Sequence, residues 1–94
     1  MTNIDNILSV KDGVAERFHN ARRAAKISQM TMAERSGVSL GSIKRFERTG
    51  EISLSSLIKL AIVLGYEEDF NDLFRRKNYQ SIFEVVNEGK SNAE

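Results

Sequence analysis

The chain has 94 residues, 40% of them apolar and 29% charged, which bounds it to one small globular domain with a single core. It has no cysteine, which excludes disulfides and thiolate metal sites and suits a reducing cytoplasm. Its net charge of +1 is unevenly spread: nine Lys/Arg against five Asp/Glu through Gly50, then five against eight from Glu51 onward. A basic front and an acidic back suit contact with a polyanion on one side only.

No apolar run approaches the roughly 20 residues that span a bilayer, and the start MTNIDNILSVKDG does not read as a signal peptide. Proline is absent, so helices stop only at glycines and capping residues. Residues 1–11 form a flank, with Ile4, Ile7 and Leu8 at helical spacing, too short to be stable unless docked. Asp12 is placed to cap a first helix from about Gly13 to Lys26, with Val14, Phe18 and Ala21 or Ala25 on one stripe. Ser28 caps a second helix, about Gln29 to Ser36, which Gly37 ends. Ser39 caps a third, about Leu40 to Arg48, and Ser53 a fourth, about Leu54 to Leu64, ended by Gly65. In the fourth, Leu57, Leu60, Ala61 and Leu64 make an i, i+3, i+4, i+7 stripe. A fifth, near Glu68 to Phe74, brings Phe70, Leu73 and Phe74 to the edge of the core. These elements predict an all-α, five-helix domain over 12–75. A C-terminal extension over 76–94 comes after it. There Ser81-Ile82-Phe83-Glu84 has capping-box form and starts the apolar run Ile82, Phe83, Val85 and Val86, before an end expected to be disordered.

The second and third helices meet at a tight turn. Ala33 sits where they cross, and Gly37 supplies the left-handed residue the turn needs. Ile43 and Phe46 share the inward face of the third helix, leaving Leu40, Gly41, Lys44 and Arg45 along its outward side. This is a helix-turn-helix, a unit that commonly enters the DNA major groove.

The stretch RFHNARRAAKISQMTMAERSGVSLGSIKRFERTGEISLSSLIKLAIVLG is similar to the lambda-repressor-like, XRE-type helix-turn-helix family. The resemblance rests on Arg22, Ser28-Gln29, Ala33, Gly37-Val38-Ser39, Phe46-Glu47 and the closing Leu60-Ala61-Ile62-Val63-Leu64-Gly65. It covers roughly residues 13–75 and departs from the family in an extra residue before Gly50 and in Ile52, where proline is frequent. More narrowly, RFERTGEISLSSLIKLAIVLGYEEDFNDLF followed by YQSIFEVV resembles the HipB-like antitoxins encoded beside HipA-type kinases.

The resemblance implies that Gln29, at the opening of the second helix, clamps the DNA backbone, as its amide and the free N–H groups there allow. It places the early positions of the third helix, Leu40 and Gly41, at base edges. Leu40 can press on a thymine methyl, and Gly41 lets the backbone approach closely. Arg45 can give guanine two hydrogen bonds or touch phosphate alone, and Ser42 adds a hydroxyl. Ser39, Lys44, Arg48 and Arg23 are the expected phosphate contacts, each steepening the salt dependence of binding. Arg22 and Glu47 are implied to form a partly buried ion pair joining the first helix to the third.

The lone His19 is poor material for a metal site, and no catalytic set or P-loop stands out, so neither enzyme nor cofactor is expected. One domain reads half a site, which predicts a homodimer on an imperfect palindromic operator. Tyr66, Phe70, Phe74, Ile82, Phe83, Val85 and Val86 are the candidate dimer or partner surface. The expected role is a cytoplasmic, nucleoid-associated repressor, autoregulating a toxin–antitoxin operon with a HipA-type kinase. The alternatives are a stand-alone regulator and an adaptor that kept the fold without DNA affinity, for which Gly41 and the low net charge speak.

Overall fold

Five helices succeed one another in the computed structural model, which describes residues 4–75: α1 (Ile4–Ala24), α2 (Gln29–Ser36), α3 (Leu40–Thr49), α4 (Leu54–Leu64) and α5 (Glu67–Asn71). The all-α class is therefore correct, and α2, α3 and α4 lie where their serine caps and glycine stops place them. Ser28 Oγ accepts from the Thr31 N–H at 3.0 Å, Ser39 Oγ from Ser42 at 3.1 Å and Ser53 Oγ from Ser56 at 3.1 Å. Each such cap stabilises its helix by about 1 kcal/mol. Gly37 and Gly50 both take φ 80° at the C-terminal ends of α2 and α3, a conformation costly for any residue with a Cβ.

Both ends of α1 differ from expectation. The first helix begins at Ile4, not near Gly13, and Asp12 lies within it, so it caps nothing. The extra turns are held by contact with the α3–α4 loop. The Lys11 backbone lies so close to Gly50 that a Cβ there would sit 2.9 Å from Lys11 Cβ and 3.2 Å from its carbonyl oxygen. Lys11 Nζ also donates to Glu51 Oε2. At the other end α1 stops at Ala24: Lys26 turns left-handed (φ 61°), and the Ile27 N–H closes back on the Arg22 carbonyl at 3.1 Å. Ala25 is accordingly exposed and outside the stripe.

The last helix is shorter than its pattern. It spans Glu67–Asn71, has no side-chain cap and buries no residue. Leu73 and Phe74 lie beyond it and are exposed, Phe74 at 89% with φ 69°. They do not close the edge of the core; Phe70 alone of the three is half-buried.

The core gathers Ala15 and Phe18 from α1, Ile27, Met32 from α2, Val38 in the turn, Ile43 and Phe46 from α3, and Leu60 from α4. Phe18 and Phe46 meet with ring centroids 5.5 Å apart at 52°, a tilted aromatic contact that ties α1 to α3. Ala33, Ile52 and Leu57 pack against this cluster. With Ile52 in that packing, the α3–α4 loop closes without the proline that the family pattern often places there.

Candidate nucleic-acid interface

The inner face of α3 fixes the outer one. Ile43 and Phe46 have 0% and 1% of their surface exposed, so the helix cannot roll without opening the core. Three residues, Gly37, Val38 and Ser39, separate α2 from α3. Buried Val38 pins this turn, and its N–H donates to Ser36 Oγ at 3.0 Å.

A polar clamp reinforces the apolar one. Arg22 Nε donates to Glu47 Oε2 at 2.7 Å and Arg22 Nη2 to Glu47 Oε1 at 3.0 Å, a two-pronged pair between α1 and α3. Both side chains are buried, 7% and 8% exposed. Arg22 Nη1 also donates to the Ile27 carbonyl at 2.9 Å, so the guanidinium holds the α1–α2 link as well. Glu47 Oε1 accepts further from His19 Nδ1 at 2.8 Å and from the Gln29 amide at 3.1 Å.

A carboxylate oxygen only accepts, so His19 carries its proton on Nδ1. The 3.2 Å approach of Arg22 Nη2 to that nitrogen is then two donors converging on one oxygen. Burial pushes the Glu47 carboxyl up. The hydrogen bonds from Arg22, His19 and Gln29 and the charge of Arg22 outweigh it and hold the group below its ordinary value.

This arrangement gives Gln29 a place that sequence reasoning did not foresee: its amide serves Glu47. An amide nitrogen carries two protons, so one Gln29 can hold Glu47 and a phosphate oxygen together. His19 was missed as a member of the clamp. The available signal was its position three residues before Arg22, which stacks the two side chains on one face of α1.

The outer face of α3 is open. Gly41, Ser42, Lys44, Arg45 and Arg48 are exposed, Leu40 is half-buried, and Arg23 is exposed near the end of α1. Among the described residues none of Arg23, Lys44, Arg45 and Arg48 is engaged in an ion pair, although the Arg45 charge acts through space on Glu51. Ser39 Oγ accepts from the Ser42 N–H and donates to Ser42 Oγ at 2.9 Å, which uses both of its roles. The Ser42 hydroxyl proton remains for an outside acceptor. A Cβ added at Gly41 would meet nothing within 4 Å, so nothing in the fold requires glycine there.

Tyr66, at 50% exposed, and Phe74 offer apolar surface away from α3. Ile82, Phe83, Val85 and Val86 fall outside the described residues. No described helix is long and apolar enough to cross a membrane, and no described group of His, Cys, Asp and Glu is placed to hold a metal ion.

Residues 18–71 match the helix-turn-helix family model, which takes in the clamp, the turn and the whole of α3. No curated protein and no solved structure matches the chain.

Proposed function

Because the chain belongs to the lambda-repressor-like, XRE-type helix-turn-helix family and is therefore a DNA-binding regulator, we propose that it is a sequence-specific repressor which binds its operator as a homodimer. One observation carries this reading. α3 is locked from behind by Ile43, Phe46 and the Arg22–Glu47 pair, while every residue expected to read or grip DNA along it stands on the open side, Leu40 half-buried and the rest exposed. Arg45 reads a guanine edge, Leu40 and Gly41 let the helix seat closely, and Ser42 donates to a base or phosphate. Arg23, Lys44 and Arg48 neutralise phosphates, with Gln29 and the free N–H groups opening α2 beside them. Two copies, about 34–36 Å apart along one face of the duplex, read the two halves of an imperfect palindrome.

The narrower reading is an antitoxin that neutralises a HipA-type kinase and represses its own operon. The resemblance of residues 45–74 to such antitoxins supports it, as does the acidic second half of the chain. Co-purification with a kinase encoded next door tests that part separately.

The DNA-binding part is tested by gel shift against the chain's own upstream region at two salt concentrations. Three cations on each of two copies neutralise roughly six phosphates, so affinity falls about a thousandfold between 50 and 200 mM salt. No shift at the lower salt favours an adaptor that kept the fold and lost the ligand.

A further inference from the structure

An apolar groove of about 580 Å³ runs between α1, α4 and α5, on Val14, Phe18, Leu57, Ala61, Leu64 and Phe70. That volume lies in the range of ligand pockets, too large for a packing fault between side chains. Its walls are nearly all hydrocarbon, so water gains few hydrogen bonds there. Arg17 and Asp69 are the charged residues on its lining, which also includes Leu73. The described residues end at Arg75, two residues past Leu73.

The sequence beyond Arg75 has the composition to fill this space. Wound at 100° per residue from the Ser81 capping box, Ile82, Phe83, Val85 and Val86 fall within an arc of roughly 160°, with Glu84 and Asn87 outside it. Such a stripe is unstable alone in water and needs an apolar partner. The five residues between Arg75 and Ser81 reach about 17–18 Å when extended, and connections of this length commonly join packed helices. Charge agrees as well: the linker carries the basic Arg76 and Lys77, opposite in sign to the acidic α5 (Glu67, Glu68, Asp69).

We propose that residues 82–86 dock in the α1–α4–α5 groove of their own chain, as a sixth helix that completes the core. The short tether favours this occupant, because it gives the segment an effective concentration near the millimolar range, which a second copy or a foreign partner seldom matches. It also refines the partner surface. Ile82, Phe83, Val85 and Val86 become interior together with the groove residues Phe70 and Tyr66, and Phe74 remains for contact with another molecule.

The test is solution NMR of the full chain without DNA, with melting of Phe83→Asp alongside. Docking predicts nuclear Overhauser contacts from Phe83 to Leu57 and Leu64 methyls within one chain. It also predicts a midpoint lowered by about 5 °C or more in the variant. Contacts seen only between differently labelled chains mean an exchanged arm and overturn the proposal. So does the absence of any such contact with an unchanged midpoint. Neither result bears on DNA binding, which is read by a different face.

Discussion

Ile43 and Phe46, on the inner side of α3, have almost no exposed surface, whereas Gly41, Ser42, Lys44, Arg45 and Arg48 on its outer side are open to solvent. Glu47 belongs with the inner set, although it is charged: four donor hydrogen bonds hold it between α1, α2 and α3. Eight of its ten residues thus divide into a group that fixes the helix and a group that stays open to solvent. Substitutions on one face should move stability, and those on the other should move DNA affinity.

The largest expected effect is on the inner face. Phe46→Ala removes the ring that packs against Phe18 and should cost about 3–5 kcal/mol in chemical denaturation. Glu47→Ala comes next. It strands the buried Arg22 and should also cost about 3–5 kcal/mol, because the lost partner leaves a desolvated charge. A loss below about 1 kcal/mol would make the pair no stronger than an exposed one.

The same carboxylate predicts a pH dependence. Its folded-state value lies below the ordinary glutamate value of about 4.3, so the unfolded chain binds the proton more readily. Its contribution is complete above that value and is lost as pH falls through the lowered one. A midpoint series from pH 6 downward reads this, and Glu47→Ala should flatten the acid limb.

The smallest effect belongs to the outer face. Gly41→Ala fills open space in a helix, so it should raise stability by up to about 1 kcal/mol. Operator affinity should fall at the same time if, as proposed, the backbone at Gly41 approaches the bases. A stabilised variant that binds as well as the parent would remove Gly41 from the reading surface.

The contrast between α3 and α5 explains how far the sequence was legible. At α2, α3 and α4 a serine cap and a glycine stop agree, joined in α3 and α4 by an apolar stripe, and the helix bounds come from local rules alone. α5 has neither a side-chain cap nor a buried residue, and its apolar spacing overstated its length. The start of α1 was hidden for another reason. Its extra turns rest on Lys11 against Gly50 and Glu51, partners about 40 residues away that no local pattern reveals. Arg22 and Glu47 were legible through family resemblance, but the shares of His19 and Gln29 in their clamp required the packed geometry. Met32, wholly buried, sits in a mostly polar helix whose sequence offers no apolar stripe to mark it.

The division of α3 into a holding face and a reading face is tested most directly by the double variant Lys44→Ala/Arg45→Ala, titrated against operator and scrambled duplex. Its stability should stay within about 0.5 kcal/mol of the parent, as for other exposed sites. Specific affinity should fall by about 1–3 kcal/mol from Arg45 alone, and the salt slope by about one unit per protomer from Lys44. A double variant that keeps the parent's affinity and its preference for the operator would contradict the account.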